Sequence, residues 1–432
     1  MKKIILILLS IILFNKNVFA VTLSEALWQA YSENPELNAE RENIESSKED
    51  VKISRSQFLP IITLSGSKSQ ENTEKLTDRS ETNSAITDVD PKTKSINIEQ
   101  KIFQGFAGIA SMEKSKIGLN LANAKLLKTE QDILYKTVEA YSGLISSDEK
   151  LKINQYNIDL LERQVETDQA RLERGQITLA DLAQSEASLA GAQAKFIQAK
   201  NKVVTAKLMY EKIIGPINNL NDLDKKYDLN FEIPTDLNQA IKISKISNPN
   251  LIISKLEHEQ SKKDVTIARS DLSPSASLSF NRAETDDLSS SYYEKDKEIL
   301  KATISWQIFK GGKNTASLNK SINLENKKKL LYDNAVKTNE TNVASTWSNL
   351  QSSRSLLNSV KSQVKAAEIA NEGITVEYES GMGRSTLDVI QSNAILLSSK
   401  ISLVESERNY LLSQFKLLQS VGLLNSNYLK LK

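Results

Sequence analysis

Cysteine is absent from the 432 residues, and histidine occurs once, at His258. Without cysteine the chain has no disulfide, no thiolate metal site and no lipid-modified N-terminal cysteine. His258 lies in a charged helical stretch, which indicates a surface residue rather than a zinc ligand or a catalytic base. Aromatic residues make up only 6% of the chain and the formal net charge is +2, so neither a thick globular core nor nucleic-acid binding is indicated.

Proline and glycine are also scarce, with 7 and 14 residues. The prolines lie at positions 35, 60, 91, 216, 234, 249 and 274, so residues 92–215 and 275–432 contain none. Proline-free tracts of this length with few glycines permit very long helices.

A long apolar run occurs only at the N-terminus. Two lysines precede an apolar run over residues 4–14, and Val18-Phe19-Ala20 resembles a signal-peptidase site. Because the run is far shorter than the ~20 residues of a membrane-spanning helix, residues 1–20 are predicted to be a secretory signal peptide, cleaved after about Ala20.

The remaining sequence is one unit that occurs twice. Asn34-Pro35 aligns with Asn248-Pro249, "INIEQKIFQG" with "ATISWQIFKG", and "ERGQITLADLAQSEA" with "ESGMGRSTLDVIQSNA", which has one extra residue. We therefore predict a first repeat at residues 21–214, a linker at 215–234, a second repeat at 235–424 and a short tail at 425–432. Each repeat is predicted to contain a helix, a β-hairpin (about 60–104 and about 274–310) and two long helices.

The last long helix of each repeat shows a coiled-coil pattern. In the second repeat apolar residues alternate spacings of three and four, and the aligned residues of the first repeat are nearly all alanine. The two predicted seams are Leu387, Ile390, Ala394, Leu397, Ile401 and Val404, and Ala180, Ala183, Ala187, Ala190, Ala194 and Ile197.

The strand-like runs alternate apolar and polar residues and are separated by polar loops. This pattern is typical of a surface hairpin or of a membrane β-barrel strand, and the signal peptide favours the barrel. Four strands cannot close a barrel, because roughly eight is the smallest number seen, so the chain is expected to form a homo-oligomer that combines strands from several copies. The predicted lipid-facing residues are Ile62, Leu64, Ile96, Ile98, Ile102, Leu278, Phe280, Ile304, Trp306 and Ile308.

In their order, the signal peptide, the two repeats, the early hairpins, the strand ends "IFQG" and "IFKG" and the "G…TL.D" turns resemble the TolC-type outer membrane factors, the outer membrane efflux protein family. The resemblance implies a mainly α fold with a β-barrel part: a homotrimer with a twelve-stranded barrel in the outer membrane, continued by an α-helical tunnel across the periplasm. It implies a passive exit duct for efflux or type I secretion, working with a periplasmic adaptor and an inner-membrane transporter of the ABC or RND type. No cofactor or metal is expected.

The stretch "YESGMGRSTLDVIQSNA", from Tyr378, has three interpretations. Its glycine spacing does not fit a dinucleotide-binding loop, and no recognisable pocket supports a catalytic Arg–Asp pair, so an enzyme is not indicated. The stretch is better explained as a helix reversal, with Gly381 ending one helix as Gly175 does in the first repeat. The alternative to a duct is a periplasmic coiled-coil adaptor or rod without a channel.

By resemblance, these reversals form the periplasmic tip, where the turns at Gly175 and Gly381 dock the adaptor. Asp388 matches an acidic residue that rings the closed entrance, and three such carboxylates would favour cations. Tyr378 and Arg384 match residues that lock the entrance, and Asp181 matches the partner of the tyrosine. Gln391 stands where the family has a second acidic residue.

Overall fold

A computed structural model of the protein describes residues 21–77, 80, 84–217, 219–220, 223–225, 231–289 and 291–431. The predicted signal peptide, residues 1–20, lies outside the described residues. The chain divides into two compact units. One contains residues 21–41, 125–251 and 336–431, and the other contains residues 42–124 and 252–335.

The helices follow the same plan in both repeats. In the first repeat α1 (Leu23–Glu33), α2 (Pro35–Ser56), α3 (Ala107–Glu173) and α4 (Leu179–Ile213) have 11, 22, 67 and 35 residues. In the second, α5 (Leu237–Ser247), α6 (Pro249–Ser270), α7 (Lys313–Glu379) and α8 (Thr386–Val421) have 11, 22, 67 and 36. None of the described helices has the length and hydropathy of a transmembrane segment.

The helix predicted before each hairpin is two helices, because an Asn–Pro pair interrupts it. Asn34 ends α1 by donating its backbone N–H to Ala30 O at 3.1 Å, and its Oδ1 accepts from the N–H of Glu36 at 3.0 Å. Pro35 then occupies the first helical position, where its missing N–H is not needed. Asn248 and Pro249 repeat this arrangement between α5 and α6.

Four antiparallel strands form one sheet in the second unit, and two further strands, which lie in sequence between the first two strands of that sheet, form a separate hairpin. The strands are β1 (Ile61–Lys68), β2 (Glu71–Thr77), β3 (Ser84–Val89), β4 (Lys92–Gln104), β5 (Ser275–Asp286) and β6 (Glu294–Ser305). The sheet order is β1-β4-β5-β6, so β4 of the first repeat pairs with β5 of the second. β2 pairs with β3 in a segment where the sequence predicted a polar loop.

One face of the sheet carries an apolar band. Directly paired residues share a face, and Ile62 pairs with Ile98, Ile98 with Phe280, and Phe280 with Leu300. Leu64, Ile96, Leu278 and Ile304 lie on the same face by the same registers. Most of the residues predicted to face lipid therefore share one face, and contact with lipid stays a prediction.

Three of those residues lie elsewhere. Ile102 is the extra residue of a β-bulge between Lys101 and Phe103. Trp306 and Ile308 follow the end of β6, which the sequence placed about four residues too far along the chain. β6 ends at Ser305 because its partner β5 begins at Ser275, directly after Pro274, so later residues have no strand to pair with.

The main core lies in the first unit and includes the segments predicted as linker and tail. Tyr141 and Phe415 are fully buried there among Leu27, Leu134 and Leu418. From the segment predicted as linker, Ile217 and Leu223 join this cluster, and from the segment predicted as tail, Leu429 and Leu431 do. Where the structure describes them, both segments are therefore packed parts of the fold.

The long helices pack within the chain through small side chains. α4 buries Ser185, Ala192 and Ala199, and α8 buries the aligned residues Ser392, Ser399 and Ser406, all at seven-residue spacing. The predicted alanine seam of α4 is exposed, and the residues of the predicted apolar seam of α8 are exposed or half-buried. The heptad spacing is present, but the seam that packs inside the single chain is the one made of small residues.

Candidate functional site

The two helix reversals, α3 to α4 and α7 to α8, share one backbone construction. Gly175 and Gly381 have φ values of 69° and 73°, a left-handed conformation that favours glycine. In each reversal, the glycine N–H donates to the carbonyl three residues earlier, and the next N–H donates to the carbonyl five residues before itself. In the first reversal these acceptors are Leu172 O and Arg171 O. The extra residue of the second reversal introduces Gly383, which also has a positive φ of 80°.

Each following helix begins with a capping box that includes an aspartate. At α8, the N–H and Oγ of Ser385 donate to Asp388 Oδ2 at 2.9 and 2.8 Å, and the N–H of Asp388 donates to Ser385 Oγ at 3.2 Å. At α4, Thr178 and Asp181 form the same arrangement. These hydrogen bonds lower the pKa of Asp388 and of Asp181 below the ordinary aspartate value, and the bond from the backbone N–H has the largest effect.

Arg384 lies in the loop just before that cap. Its Nε donates to Glu377 Oε2 at 2.6 Å, and both side chains are more than two-fifths exposed. An exposed pair of this kind contributes little to stability, because solvent and salt screen the two charges. The guanidinium therefore remains accessible to groups outside the described chain.

A buried polar network, which we call the Asp168 network, joins the two repeats close to the reversals. Asp168 is fully buried, and its carboxylate accepts from Tyr378 Oη at 2.6 Å and from Ser185 Oγ at 2.5 Å. Gln164 Nε2 donates to the same carboxylate at 3.0 and 3.1 Å. Tyr378 Oη also lies 3.1 Å from Thr386 Oγ1. The network thus links α3 and α4 of the first repeat to α7 and α8 of the second.

Arg171 completes the surroundings of Tyr378. Its guanidinium carbon lies 4.0 Å from the centroid of the tyrosine ring, and its Nη2 donates to the Tyr378 carbonyl at 3.2 Å. Burial and the hydrogen bond to Asp168 raise the pKa of Tyr378 above the ordinary tyrosine value. The hydroxyl therefore stays protonated near neutral pH and serves as a donor to Asp168.

Within the single chain, the hydrogen-bond partner of Tyr378 differs from the predicted Asp181. The family resemblance implies Asp181 as the partner of the tyrosine, whereas within the chain Tyr378 donates to Asp168 and the Asp181 carboxylate accepts from Thr178. The physical reason is local, since Asp181 is the third residue of α4 and its helix cap satisfies it. A role of Asp181 in closing an entrance stays a prediction.

Comparison with known proteins decides the family. The sequence matches the outer membrane efflux protein family over residues 26–215 and 240–423. The chain belongs to this family. Its relatives include the outer membrane efflux protein BepC of Brucella suis, 25% identical over 98% of this chain and 90% of the relative. They also include the alkaline protease secretion protein AprF of Pseudomonas aeruginosa, 20% identical over 98% of this chain and 88% of the relative.

Solved structures support the fold of this outer membrane efflux protein. The outer membrane channel CmeC of Campylobacter jejuni superposes with a TM-score of 0.82 at 17% identity, over 93% of this chain and 85% of the channel. The predicted family, the mainly helical fold with a small strand part, the outer membrane location and a role in efflux are confirmed. The gate and docking assignments stay predictions.

Sequence reasoning about this outer membrane efflux protein missed Asp168 because none of the segments aligned between the repeats includes it. A signal was present in the heptad pattern of α3. Leu161 and Asp168 are seven residues apart and both are buried, at 5% and 0% exposure. An aspartate at an interior heptad position is unusual, and it indicates a polar partner on a facing helix.

Proposed function

We propose that this protein assembles as a homotrimer that forms an exit duct through the outer membrane. The observation that carries the proposal is the four-stranded sheet, which has an apolar face and in which β1 and β6 are edge strands. Unpaired strand edges are very costly in lipid, so a sheet of this kind needs further strands to close it. Three copies would supply twelve strands, enough for a closed barrel.

The helices would continue the duct as a tunnel into the periplasm. A helix rises ~1.5 Å per residue, so the 67 residues of α3 and of α7 correspond to roughly 100 Å each. The tip reversals around Gly175 and Gly381 would dock a periplasmic adaptor, which connects the duct to an inner-membrane transporter of the ABC or RND type. The relatives named for efflux and for protease secretion support two classes of cargo, small molecules and secreted proteins.

At the tip, Asp388 would contribute one carboxylate per chain to a ring around the closed entrance, and Arg384 would pair with a neighbouring chain. Tyr378, held by Asp168, would keep the two helical hairpins of one chain together in the closed state. Catalysis is not part of the proposal, and transport through the duct would be passive.

Conductance across planar lipid bilayers tests the duct against the alternative of a coiled-coil rod without a channel. The purified full-length protein is expected to give discrete, cation-selective channel openings. A protein that gives no conductance and stays in solution without detergent would favour the rod and overturn the duct.

The ring of carboxylates has a test that separates it from helix capping. Asp388→Asn removes both the negative charge and part of the cap, whereas Ser385→Ala removes the capping hydroxyl and keeps the charge. We expect reduced cation selectivity for Asp388→Asn and unchanged selectivity for Ser385→Ala. If both variants have the same cation selectivity as the unmodified protein, Asp388 does not line the pore entrance.

A further inference from the structure

A polar cavity in the first unit is not explained by the duct. It has a volume of about 180 Å³ and lies among α3, the start of α6, α7 and the end of α8. Its lining includes Lys128, Gln131, Asp132, Asn342, Lys416 and Gln419. The volume is several times the ~30 Å³ that one water molecule occupies in the liquid.

Gln131 is the observation that indicates a ligand. Its side chain is 2% exposed, and within the described part of the chain its Nε2 has no hydrogen-bond partner. A buried amide donor without an acceptor is unfavourable, and nearly all such groups in proteins are bonded to something. A small molecule that enters the cavity can supply the missing acceptor.

The charges around the cavity favour an anion. Gln419 bridges Asp132 and Lys416, because its Nε2 donates to Asp132 Oδ1 at 2.8 Å and its Oε1 accepts from Lys416 Nζ at 2.9 Å. These two opposite charges balance each other, which leaves the positive charge of Lys128 in excess. Pro249 and Asn250, at the N-terminus of α6, also line the cavity, and the positive end of a helix dipole adds to the same potential.

We propose that this cavity binds an oxyanion, the carboxylate or phosphate group of a small molecule. The oxyanion accepts a hydrogen bond from Gln131 Nε2 and pairs with Lys128, while the amide of Asn342 is available as a further donor. An occupied site joins α3 to α6, α7 and α8 within the first unit, so binding stabilises the folded chain.

Isothermal titration calorimetry on the full-length protein in detergent tests the site. Sodium phosphate and sodium acetate are titrated separately, with sodium chloride at matched ionic strength as the baseline. We expect saturable binding of at least one of the two anions with one site per chain. Binding of phosphate alone identifies a phosphate group, and binding of acetate alone identifies a carboxylate.

Three variants locate the binding. Lys128→Gln and Gln131→Leu are expected to weaken the affinity at least tenfold, whereas Lys125→Gln, an exposed lysine of α3 that does not line the cavity, leaves it unchanged. Because Lys128 is itself exposed, its variant should fold normally even if Gln131→Leu does not. Absence of saturable binding by both anions, or an equal loss in Lys125→Gln and Lys128→Gln, would overturn the proposal.

Discussion

At the scale of single residues, Asp168 differs from the other aspartates near the tip. Asp181 and Asp388 are more exposed and cap helices with residues three positions earlier, whereas Asp168 is fully buried and its hydrogen bonds connect three helices. A buried carboxylate is stable only when hydrogen bonds replace its water. The Asp168 network therefore fixes the positions of α3, α4 and α7 relative to one another.

Asp168→Asn is expected to destabilise the folded protein by about 2 kcal/mol, because hydrogen bonds to a charged group are each worth ~1.5–3 kcal/mol. The asparagine would also turn its NH₂ group toward one of the two hydroxyl donors, that of Tyr378 or that of Ser185, which bond different oxygens of Asp168. Thermal unfolding in detergent measures the loss. The matched control is Asp159→Asn, an exposed aspartate of the same helix that accepts one bond from Gln155, and an equal loss in both variants would contradict the importance of burial.

The capping aspartates predict a dependence on acidic pH. The folded-state pKa values of Asp181 and Asp388 are lowered, so their contribution to stability is present above the unfolded-state pKa and is lost as the pH falls below about 4. The protection of the amides in the first turns of α4 and α8 against hydrogen exchange, measured relative to the intrinsic rate at the same pH, should therefore fall at low pH. The double variant Asp181→Asn and Asp388→Asn should abolish this fall, and its persistence would point to other groups.

At the scale of elements, α8 packs against its neighbours in the chain through a row of serines rather than leucines. Ser399 is fully buried and, among the described residues, its Oγ has no hydrogen-bond partner. The aligned position in the first repeat is Ala192, also buried. The first repeat thus already carries the side chain that fits this environment.

Ser399→Ala is expected to stabilise the protein by ~1 kcal/mol, since it removes a buried hydroxyl that has no partner. Thermal or denaturant unfolding measures the gain. Ser398→Ala is the control, because Ser398 is exposed and its hydroxyl bonds Ile395 O at 2.9 Å. A destabilised Ser399→Ala variant would show that this hydroxyl is bonded in the assembled protein.

The helices and strands were predictable to different degrees. The long helices followed from the absence of proline, and the family followed from the repeats, because both depend on patterns that extend over many residues. The break at Asn34-Pro35, the hairpin of β2 and β3 and the end of β6 were missed, since each depends on a local cap or on a partner strand distant in sequence. Ser392, Ser399 and Ser406 were missed because a search for apolar periodicity does not detect serine.

At the scale of the whole molecule, apolar side chains remain exposed on the long helices of the single chain. On α4, Ile197, Val204 and Leu208 are each more than half exposed, and the spacings of seven and four place them on one stripe. Ile369 and Val376 on α7 are also more than half exposed and are seven residues apart. In the homotrimer proposed above, contact between copies of the chain would cover these stripes.

Val204→Glu is therefore expected to weaken the proposed trimer, because it would place a charge in the apolar contact between copies. Native mass spectrometry in detergent should show a larger monomer fraction than for the unmodified protein. Lys202→Glu introduces the same carboxylate on the opposite side of the same helix, without removing apolar surface from the stripe, and should leave the proposed trimer intact. If the Val204→Glu variant has the same monomer fraction as the unmodified protein, this stripe does not lie in the interface between copies.

The apolar face of the sheet gives a matched pair of variants for membrane insertion. Phe280→Lys places a charge on the apolar face, at a cost of ~2–4 kcal/mol if the residue lies near the bilayer midplane. Ser279→Lys places the same charge on the opposite face, next to Glu99 and Lys301. Recovery in the outer membrane fraction should fall for Phe280→Lys only, and equal recovery would contradict lipid contact at Phe280.

The Asn–Pro breaks also set an order of folding. Asn34 Nδ2 donates to Ile213 O and Asn248 Nδ2 to Ser420 O, so the junction near the start of each repeat is held by the end of its last helix. These bonds close loops of 179 and 172 residues, and the entropy of closure must be lost before the contacts form. Neither repeat can complete its fold while its last helix is still being exported, and the second closure must wait for Ser420, near the C-terminus of the chain.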